Sequence, residues 1–173
     1  MSYPIDGGLN LHRLNLKNNP ECFFVDKTRA KNNWCKEVWN FYKKQVSIKK
    51  RDAIILIEEL SDLVWEAQGG KPLFQFDSHK GLPMSWNRPQ DGELNYIRYE
   101  IGHMTPRLSG GTSHPNNLTF QSSRCNQHIQ SSLDIDEVLV YFKQITEVNE
   151  RYNNLIELHN SNEWNKTLGR III

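Results

Sequence analysis

Residues 98–131 read RYEIGHMTPRLSGGTSHPNNLTFQSSRCNQHIQS, and this stretch decides the fold. From Tyr96 to Ile101 aromatic or aliphatic side chains alternate with polar ones, the signature of a strand, which delivers His103 to the strand's end. Pro106 and the pair Gly110-Gly111 break regular structure, and His114-Pro115-Asn116-Asn117 is turn chemistry. Residues 118–120 suit a brief return strand. From about Ser122 a polar run into Cys125, Asn126, His128 and Ile129 suits a helix capped by serine. The expected order is strand, loop, strand, helix, within an α+β chain.

Taken in order, His103, Pro106, Gly110, Gly111, Asn117-Leu118 and Cys125-Asn126 resemble the HNH, or His-Me finger (ββα-metal), endonuclease motif. The steps of 14 residues from His103 to Asn117 and 9 from Asn117 to Asn126 resemble the HNN subtype found in CRISPR effector nucleases. The resemblance covers about 35 residues and is nearest to compact restriction-type or phage-type members. It implies a ββα-metal core that hydrolyses phosphodiester bonds of duplex DNA, leaving a 5′ phosphate and a 3′ hydroxyl. It also implies His103 as general base, Asn117 as the residue that orients it, and Asn126 as a ligand of one Mg²⁺ or Mn²⁺. The chemistry is coherent: imidazole titrates near neutral pH, and an amide oxygen is a hard donor suited to Mg²⁺.

One position departs from the family. The residue before the histidine is commonly an Asp or His metal ligand, and here it is Gly102. Glu100, two residues earlier on the same strand face, is the expected second ligand, with Gln130 and His128 as further donors. Glu100 equally suits a salt bridge to Arg98 or Arg107. Arg98, Arg107 and Arg124 are expected phosphate contacts, with plain surface solvation as the alternative. Gly102 also motivates a second reading, a DNA-binding protein on a catalytically degenerate nuclease scaffold.

The 173 residues suit one domain, divided by pattern into an arm over 1–28, a basic helical segment over 29–70, the nuclease core over 71–133, and a C-terminal helix and tail over 134–173. The formal charge of +1 gives no nucleic-acid signal by itself. Its distribution does: between residues 27 and 51 nine Lys or Arg stand against one acid, Glu37, with Trp34, Trp39, Phe41 and Tyr42 interleaved. Phosphate-backbone contact and the wet face of an amphipathic helix both account for that pattern.

Helical spacing of Trp34, Val38, Phe41, Tyr42 and Val46 predicts a helix over 29–46. A second follows over 52–68, closed by Gly69-Gly70. Residues 22–25 read as a short strand or tucked segment. Residues 71–92 read as a hairpin whose loop, with His79, Lys80, Trp86 and Arg88, is a recognition surface or a plain surface loop. Apolar steps of three and four predict a helix over 134–159, about 39 Å long if straight and so expected either to run straight or to bend or break, serving as a brace or as half of a homodimer interface. The tail over 164–173 docks on the core or pairs with another chain. Three cysteines without a CxxC pair predict no structural zinc and a reducing compartment. With no signal peptide or membrane span visible, a soluble cytoplasmic protein without a membrane partner is expected.

Overall fold

Ala30, Trp34, Val38 and Tyr42 recur every four residues and form the buried stripe of helix α1 (Lys27–Tyr42). The helix stops four residues short of the predicted Val46, in a turn where the Gln45 and Val46 amides both donate to the Tyr42 carbonyl. The computed structural model describes residues 24–25, 27–73, 97–122, 126, 130, 133–142 and 146–172. Helix α2 (Lys50–Ala67) buries Ala53, Leu56, Ile57, Leu60, Ser61, Val64 and Trp65, a face too broad for one neighbour. It packs against α1, against the sheet and against the C-terminal helices. Each fully buried aliphatic side chain on such a face contributes about 1.5–3 kcal/mol of transfer free energy. Gly69 and Gly70 end the helix with φ of 69° each, a left-handed backbone that glycine adopts without strain.

Strand β1 (Phe24–Val25) lies parallel to β2 (Ile97–His103), which pairs antiparallel with β3 (Leu118–Ser122). The register sets His103 opposite Leu118, Ile101 opposite Phe120 and Gly102 opposite Thr119. Phe120 fastens the hairpin to the helices: its ring stacks on Trp34 at 6.4 Å and meets Trp65 edge-on at 5.5 Å. Backbone groups of β3 on its outer side need partners, and the buried Gln68 supplies one. Its Oε1 accepts from the Phe120 amide at 3.0 Å, and its Nε2 donates to the Phe120 carbonyl at 2.8 Å and the Lys71 carbonyl at 3.0 Å. One side-chain amide thereby does what a fourth strand would do. Residues 1–23 and 74–96, which contain most of the predicted arm and most of the predicted hairpin with His79, Lys80, Trp86 and Arg88, lie outside the described residues, and α1 begins at Lys27, inside the span expected to be arm.

The helix expected over 134–159, long enough to bend or break, is broken into two, α3 (Ile135–Phe142) and α4 (Thr146–His159). Tyr152 Oη donates to Asp136 Oδ1 at 2.9 Å across 16 positions of sequence. In one straight helix those residues would stand about 24 Å apart, so the chain doubles back. The physical reason is the core: Val138, Leu139, Val148 and Leu155 all join one apolar cluster, which a rod of about 39 Å would overshoot. Helix α5 (Asn162–Ile172) buries Trp164, Thr167, Leu168 and Ile171, so the C-terminal segment docks on its own chain. Trp164 Nε1 also donates to Asn116 Oδ1 at 2.7 Å and ties α5 to the loop before β3. Among the described residues the chain is α+β and mostly helical, with five helices around a small sheet, and no helix is long and apolar enough to cross a membrane.

His159 closes α4 with its ring 5.1 Å from Trp164, and its Nε2 has no hydrogen-bond partner among the described residues. Burial, helped by the nearby His114, pushes its pKa from 6.5 down to about 4. As pH falls below 6.5 the unfolded chain takes up a proton that the folded chain refuses. Stability is therefore full above 6.5 and falls as pH drops toward 4, by about 3 kcal/mol from this residue. Urea unfolding at a series of pH values should show that loss in the native chain and a flatter profile in His159→Gln; parallel profiles would contradict the assignment.

Candidate active site

Strand β2 ends at His103, whose ring turns toward α1. Glu37 waits there, one turn of helix beyond the buried Trp34. Its Oε2 lies 3.6 Å from His103 Nε2. Arg107 donates from Nε toward the same Nε2 at 3.4 Å and from Nη2 to both Glu37 oxygens at 3.1 Å. Ser113 Oγ donates to Glu37 Oε2 at 2.8 Å and stands 3.5 Å from the imidazole. The three partners of His103, namely Glu37, Arg107 and Ser113, line an open cleft of about 270 Å³ together with Asn40 and Phe41.

The His103 side chain is only 15% exposed, and burial pushes its pKa below 6.5, opposed by Glu37 and reinforced by Arg107. The ring is accordingly neutral at neutral pH and able to accept a proton. Opposite signs of the two neighbours give a direct check. Glu37→Gln should move the His103 titration to lower pH, and Arg107→Gln should move it higher, as read from the imidazole carbon-bound protons by NMR. Shifts of the same sign would refute the electrostatic account.

The loop after His103 is rigid for identifiable reasons. Gly110 has φ of 88°, where a side chain is strained, and a Cβ on Gly111 would fall 1.7 Å from the Thr105 carbonyl oxygen, so the loop would have to move to admit one there. Asn117 spans the loop: its Oδ1 accepts from the Thr105 amide at 2.7 Å, and its Nδ2 donates to the carbonyls of Thr105 at 3.0 Å and Thr112 at 2.8 Å. Its own carbonyl accepts from the Met104 amide at 2.8 Å. Asn117 thus holds Met104 and Thr105, the two residues that follow His103.

The opposite face of β2 carries Glu100 and Gly102. Asn126 Nδ2 donates to Glu100 Oε2 at 3.1 Å and to the Ile101 carbonyl at 3.4 Å, so this carboxylate and this amide are side by side. Both offer oxygen, the donor that Mg²⁺ and Mn²⁺ favour, and Mg²⁺ is commonly held by one or two protein groups with water and phosphate completing the shell. Among the described residues no group of three or more His, Cys, Asp or Glu is arranged for a metal. Gln130 is engaged elsewhere: its Nε2 donates to the carbonyls of His103 at 2.6 Å and Met104 at 3.2 Å. Its Oε1 accepts from Gln121 Nε2 at 2.6 Å. Gln121 in turn lies against Gly102, where a Cβ would come within 2.2 Å of Gln121 Nε2.

The predicted residues thus fall into two groups, His103 with Arg107 on the α1 side and Glu100 with Asn126 on the other, with Asn117 bracing the loop between strands. Asn126 and Gln130 have helical backbone of the wide π type, while Arg124, Cys125, His128 and the side chain of Arg98 lie outside the described residues. Cys35 is buried and unpaired, and burial pushes its thiol pKa up. Sequence reasoning missed Glu37 and Ser113 as site residues. Glu37 had a signal, as the one acid in a run of nine cations. Ser113 had none. No protein-family model, no curated protein and no solved structure matches this chain.

Proposed function

We propose that the chain is a metal-dependent DNA endonuclease of the HNH type, acting on duplex DNA. The observation that carries this reading is His103, a strand-end histidine kept neutral by burial on a loop held by Asn117, with the Glu100 and Asn126 oxygens side by side on the other face of the same strand. His103 takes the proton from the attacking water. Arg107, 64% exposed beside it, meets the phosphate, with Arg98 and Arg124 as further expected contacts. Glu100 and Asn126 would hold one Mg²⁺ or Mn²⁺, which when bound neutralises charge on the phosphate and on the departing oxygen.

Plasmid DNA incubated with the protein in Mg²⁺, Mn²⁺ or EDTA tests the proposal, with single-stranded DNA and RNA as comparison substrates. Metal-dependent cleavage leaving 5′ phosphates is the expected result; the absence of any metal-dependent cleavage defeats it. One observation favours a second reading. The family's ligand position is Gly102, and its space is filled by Gln121, which fits a scaffold that retains DNA binding and has lost catalysis. Calorimetry separates the two, since a degenerate scaffold takes up neither metal even with DNA present.

A further inference from the structure

Five cations with no acid among them, Lys43, Lys44, Lys49, Lys50 and Arg51, occupy the exposed turn from α1 into the start of α2. The turn is joined to the cleft at His103 by contacts on the same helix end. Lys43 Nζ donates to Asn40 Oδ1 at 3.3 Å, and Asn40 lines the cleft together with Phe41. Lys50 Nζ stands 5.4 Å over the ring of Trp39, the residue before Asn40.

Helix stability explains only part of this charge. Lys43 and Lys44 follow the C-terminal end of α1, where the helix dipole favours cations. Lys49, Lys50 and Arg51 open α2, where the dipole disfavours them, and Lys49 at the N-cap makes no capping hydrogen bond. Among the described residues of α1 and the first turn of α2, the acids are Glu37, held by Arg107 and Ser113, and Asp52, against the five cations of this ridge.

We propose that the ridge of Lys43, Lys44, Lys49, Lys50 and Arg51 is a nucleic-acid docking surface that tracks the phosphate backbone of a duplex into the cleft beside His103. Its direction toward His103 rests on the nuclease reading, whereas binding is measured without cleavage. Backbone tracking of this kind needs exposed cations on one surface and gives affinity without sequence preference.

The test is fluorescence anisotropy of a short labelled duplex with the full chain carrying His103→Ala, over a range of salt concentrations. Adding Lys49→Glu, Lys50→Glu and Arg51→Glu together should weaken binding at least about tenfold. If all three meet phosphates, the dependence of log K on log salt should flatten by about 2.7. Lys43→Glu with Lys44→Glu should flatten it by about 1.8. Circular dichroism checks the fold, and the matching Lys→Gln and Arg→Gln set, expected to act in the same direction, replaces any charge-reversed variant that does not fold. Unchanged affinity and slope in folded variants would overturn the proposal, as would binding to phosphatidylserine vesicles without binding to the duplex. Ridge-dependent binding without cleavage by the native chain would leave the ridge standing and remove the nuclease. Cleavage by the native chain with unaltered binding by the ridge variants would do the reverse.

Discussion

His103→Ala should lower metal-dependent plasmid cleavage by roughly 10²- to 10⁴-fold, the usual worth of a positioned general base, while leaving the fold in place. The imidazole makes polar contacts to Glu37, Arg107 and Ser113, and these three remain bonded to one another when the ring is removed. Its backbone is held independently, by pairing opposite Leu118 and by Gln130 on its carbonyl. The melting transition should therefore move little while activity collapses. The pH profile supplies a second check. On the nuclease reading His103 acts when neutral, and with its pKa depressed, activity should rise with pH along a limb centred below 6.5. Glu37→Gln should carry that limb still lower. Cleavage by His103→Ala at the native rate would remove this residue from the chemistry.

Local signals in the chain made much of the fold legible. Steps of three and four located α1 and α2 within a few residues, since their buried stripes face a core on one side or two. Turn chemistry located the loop between β2 and β3, since Gly110 and Gly111 meet separate local requirements there. What failed to show was any feature that depends on how elements meet. The apolar stripe over 134–159 runs on through the reversal between α3 and α4, because periodicity reports which face is buried and not where the chain turns. The Tyr152–Asp136 bond exists only after that turn. Glu37 reaches His103 from a helix far upstream, so spacing around the motif could not indicate it.

Gly102 teaches the same lesson, and its substitution carries the second large expected effect. In sequence it reads as a missing metal ligand; in the fold it is a contact surface. A Cβ there would stand 2.2, 2.4 and 2.8 Å from Nε2, Cδ and Cγ of Gln121. The far end of a glutamine ordinarily swings aside at little cost, but Gln121 is fully buried and bonded to Thr119 Oγ1 at 3.1 Å and Gln130 Oε1 at 2.6 Å. Moving it strips Gln130 of a partner, and Gln130 is what holds the His103 carbonyl. Overpacking costs about 1–3 kcal/mol, and a buried polar group left without its partner costs about as much again. Gly102→Ala should thus destabilise by about 2–5 kcal/mol in urea unfolding, and Gly102→Asp by more because it also buries a charge. The cause can be isolated with Gln121→Ser, which opens the space. In that background the alanine at 102 should cost at least about 1 kcal/mol less than it does alone, because residues in contact are not additive. Strictly additive costs would mean that Gln121 is not the obstacle. Non-additive costs would mean that a side chain at this position is excluded by the same pair of glutamines, Gln121 and Gln130, that holds the backbone at His103.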